Sequence, residues 1–477
     1  MKTHLHFAAL ALVAAMPICA QAMNLEDYLG QVVQKHQGLE GLRASQEAAR
    51  KTREAGDMEL TPRFSLQGSY LSDKKQPSMG GMTETRSEAY NATLSKLFSS
   101  GTKVDVMAKT GGVEYIGMSP ATASFFGATA YGQGGLGIGL SQSLWKNAFG
   151  RSTSLRRERE ISVAEAEAGS YDLQGRQILA SAESAFWDLL YLQEEVSIRQ
   201  ASLERGKKIE AWFRRRADDG ISDRADTLNA RALVASRELQ LTASKDNLIA
   251  AEKKVRDYLE MDGNQAAPTL QGQIASSRDL QQLVGRDGRV VSLQVYLADL
   301  QAKAQAVGAR EAEEATKADL VLSGSYFTNS YEAGGKAFDG TKNWDRTDTP
   351  TAQVALSWTY LFESDAKVAV RDSARAKALA AKLQSERAAR EGETAWTEMV
   401  RRHKELTLQI KSAEDLLKIQ KDLAKALQDK YARGRSITSE VINSEENAAN
   451  AELQLTKMRA EQRKLEAQTR LFIAVKE

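Results

Sequence analysis

Cysteine is nearly missing from this 477-residue chain, and the single copy, Cys19, falls in the first twenty residues. Those residues read as a removable secretion signal spanning 1–22. Lys2, His4 and His6 lead into an apolar run over residues 7–16, and Ala20-Gln21-Ala22 offers the small-x-small pattern of a cleavage site. Ile18 before Cys19 is not small, so an acylated N-terminus is not expected. Removal of the signal would leave a chain with no thiol chemistry and no disulfide. Proline is scarce as well: Pro17, Pro62, Pro77, Pro120, Pro268 and Pro350 are the only copies, and none interrupts the long charged segments. Those segments are therefore free to run as unbroken helices. An excess of charge is lacking, with 65 Lys plus Arg against 63 Asp plus Glu. That balance excludes bulk attraction to nucleic acid. After the signal no apolar run approaches the roughly 20 residues of a membrane-spanning helix. A membrane crossing by this chain requires a closed β-barrel, because open sheet edges cannot be satisfied in lipid.

Catalytic signals are equally sparse. His36 and His403 are the only histidines beyond the signal, far apart and without a second ligand at metal spacing. Gly132-Gln133-Gly134-Gly135-Leu136-Gly137 has a superficial likeness to a dinucleotide fingerprint, but it leads into an alternating strand and no helix opens there. Neither a phosphate loop nor a serine elbow is present. No enzyme activity, metal or cofactor is expected.

What the sequence does contain is an internal duplication. Thr61-Pro-Arg-Phe-Ser-Leu-Gln-Gly-Ser-Tyr70 aligns with Lys317-Ala-Asp-Leu-Val-Leu-Ser-Gly-Ser-Tyr326 at an offset of 256. At an offset of 214, Leu239-Gln-Leu-Thr242 recurs as Leu453-Gln-Leu-Thr456, and Gly220, Asp226 and Glu238 match Gly434, Glu440 and Glu452. A first repeat over 23–262 and a second over 290–477, joined by a linker over 263–289, follow from this order. Each repeat reads as helix, strand region, very long helix, glycine turn and returning helix.

Residues 24–60 and 290–317 are rich in Ala, Glu, Gln and Arg and should be helical. Strand regions follow at about 61–146 and about 318–362. Phe64, Leu66, Gly68 and Tyr70 alternate with polar residues, as do Leu136, Ile138, Leu140 and Leu144 with small ones. Leu320, Leu322 and Tyr326, then Val354, Leu356, Trp358, Tyr360 and Phe362, repeat the pattern. Such alternation suits a lipid-facing barrel strand and a half-buried sandwich strand alike. In the first repeat alone, 90–98 and 103–108, joined by Ser-Ser-Gly-Thr, read as an additional hairpin. The segments 152–218 and 365–433 are then each long enough to reach roughly 100 Å as straight helices. After a glycine turn each returns for about 36–40 residues. Seven-residue spacing of Val441, Ala448 and Leu455, of Ala451, Met458, Leu465 and Phe472, and of Ala182, Leu189, Val196 and Leu203 points to coiled-coil packing.

Together these features resemble the TolC family of outer-membrane factors. The sharpest likeness is Lys430-Tyr-Ala-Arg-Gly-Arg-Ser-Ile-Thr-Ser-Glu-Val-Ile-Asn443, similar to the family's tyrosine-x-x-glycine turn, with Asp218-Asp-Gly-Ile-Ser-Asp-Arg-Ala-Asp-Thr-Leu-Asn-Ala-Arg231 as its partner in the first repeat. Residues 449–455, Ala-Asn-Ala-Glu-Leu-Gln-Leu, are a family-like phrase too. The resemblance implies a mainly α fold with a β-barrel contribution. Three subunits would form one outer-membrane barrel continued by a periplasmic α-helical coiled-coil tunnel. It also implies docking to a periplasmic adaptor and an inner-membrane pump, passive export, contact with outer-membrane lipid and no nucleic acid. Family subunits give two strands per repeat, so the additional hairpin is a departure. Gly220, Ile221, Gly434 and Arg435 would sit at the helix-turn tips, against the adaptor. Asp226, Glu440, Asn443 and Tyr431 would line the pore constriction. A second acid found in some members is replaced here by Asn229 and Asn443, and Ser436 stands where an arginine can occur. The other reading is a secreted periplasmic coiled-coil structural or binding protein that forms no channel.

Overall fold

A computed structural model describes residues 23–74, 81–219, 223–263, 265–275, 277–285, 289–433 and 435–475. The expected secretion signal, Gly220, Ile221 and Gly434 lie outside the described residues. In chain order the helices are α1 (Leu25–Lys35), α2 (Gln37–Ala55), α3 (Pro120–Phe126), α4 (Arg151–Asp218), α5 (Arg224–Tyr258), α6 (Leu280–Val284), α7 (Leu293–Ala315), α8 (Asp365–Ala432) and α9 (Thr438–Ala467). The strands are β1 (Arg63–Lys74), β2 (Glu84–Leu97), β3 (Thr102–Ile116), β4 (Ala130–Ser143), β5 (Arg289–Ser292), β6 (Asp319–Phe327), β7 (Ser330–Ala333), β8 (Thr351–Thr359) and β9 (Phe472–Val475). The chain divides into two compact units, and each takes segments from both sequence repeats.

One unit, residues 45–170 and 295–389, holds an antiparallel sheet in the order β1-β2-β3-β4-β6-β8, with β7 also paired to β4. The additional hairpin is present as β2 and β3. It is longer than its sequence pattern indicated, and its strands sit inside the sheet between β1 and β4. The Ser99–Gly101 turn joining them packs on the 3₁₀ turn before α4. A Cβ on Gly101 (φ +74°) would lie 3.0 Å from the Asn147 carbonyl oxygen, so only glycine fits there. Beyond β6 the chain makes β7 and a 3₁₀ turn, Ala337–Thr341, laid against the glycines of β3 and β4.

The other unit, residues 23–44, 171–294 and 390–475, contains α5, α9 and the adjoining stretches of α4 and α8. Its main core joins Tyr28 and Val32 of α1 to Phe186, Trp187 and Leu189 of α4, with Val255, Leu259 and Ala460. Of the heptad positions, Ala182, Leu189, Leu203, Val441, Ala448, Ala451 and Leu455 are buried, Val196, Met458 and Leu465 are half-buried, and Phe472 falls in β9, beyond the end of α9. The returning helices are shorter than expected, at 35 and 30 residues. After α9 the chain leaves the helix and pairs β9 with β5, which fills four positions, three of them in the region read as helical (Val290, Val291 and Ser292). β-branched Val290 and Val291, opposite Ala474 and Ile473, favour the pleated surface.

Candidate pore-forming surfaces and helical turns

The sheet registers carry a simple consequence. Each pairing in the long strands joins residues of like parity, the even ones running from Phe64 to Leu94, Leu94 to Val106, Val106 to Ile138, Ile138 to Tyr326 and Tyr326 to Ala352. Cβ vectors alternate along a strand, so the even residues of all six strands share one face. That face carries Leu66, Ala92, Val104, Leu140, Leu322 and Leu356, and its large side chains stand open: Phe64 is 67% exposed, Ile138 53% and Val354 81%. The odd face carries Gln67, Asn91, Thr93, Asp105, Lys109 and Ser323. There Lys103 pairs with Asp105 at 3.0 Å, and Ser95 donates to Asp105 at 2.5 Å.

The apolar face has ends. Trp358 and Tyr360 stack at 5.9 Å, with Phe362 edge-on to Tyr360 at 5.4 Å, where β8 runs towards α8. At the opposite end, Tyr70, Tyr90 and Tyr326 precede charged or covered positions. Glu84 accepts from Arg86 at 2.6 Å and from Ser72 at 2.9 Å. Phe338 stacks on Tyr90 at 5.0 Å, and the Thr110 hydroxyl donates to the Ala337 carbonyl. Between these limits lies an apolar band of the kind flanked by aromatic girdles in membrane barrels. Among the described residues the outer edges of β1 and β8 pair with nothing.

The helical unit is also open at two sides. Arg199 of α4 donates to Gln240 of α5 at 2.9 Å. Arg205 of α4 pairs with Glu445 of α9 at 2.9 Å, and Lys464 of α9 with Asp188 of α4 at 2.8 Å. Lys421 and Glu414 of α8 meet Glu452 and Arg459 of α9, both at 2.6 Å. Thus α4 and α9 are central, and α5 and α8 are the outer helices. Both carry uncovered apolar rows: Leu228, Leu239 and Ile249 on α5, and Leu408, Leu416, Ile419 and Leu423 on α8. Leu228 to Leu239 and Leu408 to Ile419 are each eleven residues apart, close to three helical turns, so each pair shares a face.

Near the turns, Tyr431 is buried and meets Trp212 at 4.4 Å and Phe213 at 5.3 Å, with the Arg216 guanidinium 5.4 Å from its ring. Its hydroxyl lies 3.3 Å from Thr438 Oγ1. Tyr431 therefore ties α4, α8 and α9 together and, within one chain, does not face solvent. Asp226 is half-buried in the first turn of α5, whose N-cap is Asp223. Glu440 is exposed in the first turn of α9 and accepts from Ser436 at 2.5 Å. Asn443 and Asn229 are exposed along one groove of about 380 Å³. Arg435 is exposed, its backbone N–H donating to the Lys430 carbonyl at 3.0 Å.

Several charged residues inside this unit escaped sequence reasoning. Arg237 is 5% exposed, lines the groove of Asn229 and Asn443, and donates through Nη1 to the Ser202 carbonyl. Burial pulls its pKa below the usual guanidinium value, opposed by nearby Glu445. Arg463, buried beside Glu466 and over the Trp187 ring, belongs to a network that reaches His403, 3.4 Å from Glu466. Exposed and buried helix charges look alike in sequence, and only the helix neighbours distinguish them.

Solved structures of outer-membrane channels are similar in fold to nearly the whole of this chain. The chain has the outer-membrane channel fold. The outer membrane protein VceC from Vibrio cholerae superposes with a TM-score of 0.66 at 14% identity, over 93% of this chain and 94% of that one. CusC, described for its transmembrane channel formation, gives 0.67 at 12%, over 94% and 91%. The open state of the Neisseria gonorrhoeae MtrE outer membrane channel gives 0.64 at 15%, over 94% and 88%. The fold that the TolC resemblance implied for one chain is the fold observed. No family model matches the chain, and no curated protein matches it. No described helix is long and apolar enough to cross a membrane.

Proposed function

We propose that this chain is a TolC-type outer-membrane exit channel, a passive conduit for substrates driven by an inner-membrane pump through a periplasmic adaptor. The observation that carries the reading is the uncovered apolar even face of the sheet, bounded by aromatics. Water strands such a surface, and lipid satisfies it. Ring assembly as a homotrimer draws support from two independent open boundaries. Among the described residues the sheet leaves the outer edges of β1 and β8 unpaired, and the helical unit leaves apolar rows on α5 and α8. Pairing β1 with β8 and α5 with α8 of successive copies makes a head-to-tail contact, which closes as a ring. Three copies are what the family resemblance implies.

In that ring Asp226 and Glu440, with Asn443 beside them, form the constriction, and threefold repetition of the acids favours cations there. Tyr431 contributes by holding the turns in place from behind. The tips at Gly220, Ile221, Gly434 and Arg435 meet the adaptor. Efflux of small molecules and type I protein export use the same conduit, and the pump selects the cargo. A periplasmic coiled coil that never meets lipid accounts for the helices and leaves the even face of the sheet unexplained. Cell fractionation separates the two readings. An outer-membrane protein running as a heat-modifiable oligomer supports the channel, and a soluble monomeric periplasmic protein refutes it.

A further inference from the structure

We propose that the β2–β3 hairpin is barrel wall, so that each copy supplies six membrane strands and a ring of three closes at eighteen. The inference rests on the channel reading above and concerns what the channel can pass. The hairpin is integrated over its full length: Arg63 to Lys74 pair with β2, β2 pairs with β3 from Glu84 to Leu97, and β3 with β4 from Thr102 to Glu114. β1 to β4 have 12, 14, 15 and 14 residues and β6 and β8 nine each, against the roughly 9–11 needed to span as tilted strands. β7, with four residues, is too short to span.

The faces of the hairpin match those of its neighbours. Its even side carries Ala92, Leu94, Val104, Val106 and Ala108, with Leu94 47% exposed and Val106 49%. Its odd side carries Asn91, Thr93, Ser95, Lys103, Asp105 and Lys109. An insertion projecting into water has no reason to keep an uncovered apolar side in phase with four other strands. A slip of one residue in any pairing would have reversed the hairpin's faces.

The strand number fixes the bore. At about 4.8 Å between strands and about 40° of tilt, eighteen strands enclose a wall roughly 36 Å across, against roughly 24 Å for the twelve that four strands per copy would give. Barrels of 16–18 strands leave an open aqueous channel. The outer-membrane segment therefore admits large hydrated polar solutes without stripping their water, and selection by size falls to the helical end.

The test uses single cysteines in the full-length trimer, in a sequence whose only other cysteine is Cys19. Thr93 and Met107 face each other on the odd side, and Leu94 and Val106 on the even side. In proteoliposomes, T93C and M107C should react with a water-soluble maleimide at least about tenfold faster than L94C and V106C. A lipid-soluble maleimide should reverse that order. Equal aqueous labelling at all four positions overturns the proposal, placing the hairpin outside the bilayer. Electron cryomicroscopy of the unmodified trimer gives the count directly: eighteen strands support the inference and twelve refute it. A conducting trimer with twelve strands rejects the hairpin's placement alone, whereas a soluble, non-conducting protein rejects the channel reading itself.

Discussion

Arginine placed on the two faces of β8 should behave in opposite ways. Val354 is 81% exposed on the even face, and its cross-strand partner is Gly324, which has no side chain to shield it. Gln353 and Ala355 flank it on the odd face. Val354 lies two steps from the girdle residue Trp358 and well inside the apolar band, so Val354→Arg sets a guanidinium against acyl chains. Near the midplane that costs about 2–4 kcal/mol per chain, or roughly 30- to 1000-fold in the folding equilibrium. Ala355→Arg turns its charge to the polar face and should stay within about 0.5 kcal/mol. Urea titration of folding into lipid vesicles, followed by tryptophan fluorescence, measures both. Equal destabilisation by the two substitutions, or a larger loss at position 355, would refute the assignment of the even face to lipid.

Other perturbations probe the remaining surfaces. Tyr431→Ala removes a buried ring from contact with Trp212 and Phe213 and should cost about 3–5 kcal/mol, seen as a lower melting temperature and faster proteolysis near the turns. Unchanged melting would show that the cluster does not hold the turns. Gly134→Ala sets a Cβ 2.5 Å from the Gly340 carbonyl oxygen and 2.5 Å from Trp344 Nε1, so the 335–344 arm must lift; tryptic cleavage at Lys336, Lys342 or Arg346 should accelerate. Leu239→Lys and Leu408→Lys charge the outer rows of α5 and α8, and each should weaken the detergent-stable oligomer while circular dichroism keeps its helical signal. Asp226→Ala together with Glu440→Ala should reduce cation selectivity and cation block in single-channel recordings. Unaltered recordings would remove both acids from the constriction.

Much of the fold was legible because its two dominant elements have strong periods. Long helices without proline and strands alternating at Phe64, Ile138, Leu322 and Val354 declare themselves locally. β2 and β3 were visible for the same reason, but their place between β1 and β4 depends on register, which no local pattern states. The arm of β7 and the 3₁₀ turn was not read as an element, because its seat is made by Gly112, Gly132 and Gly134, more than 190 residues earlier in sequence. β5 and β9 bring together segments about 180 residues apart, and four-residue strands carry little signal of their own. The site residues divide similarly. Asp226 and Glu440 stand where the duplication put them, in the first turns of α5 and α9. Burial of Tyr431 depends on Trp212 and Phe213 of another helix. The aromatic pair just before the Gly220 turn was the one clue in the sequence.

Planar-bilayer recording of the purified, detergent-extracted protein tests the central claim most directly. A channel of this kind should insert in discrete, ohmic conductance steps that persist without pump, adaptor or energy source. Absence of any step from protein that is folded and helical by circular dichroism, at concentrations where it forms its oligomer, would contradict the account.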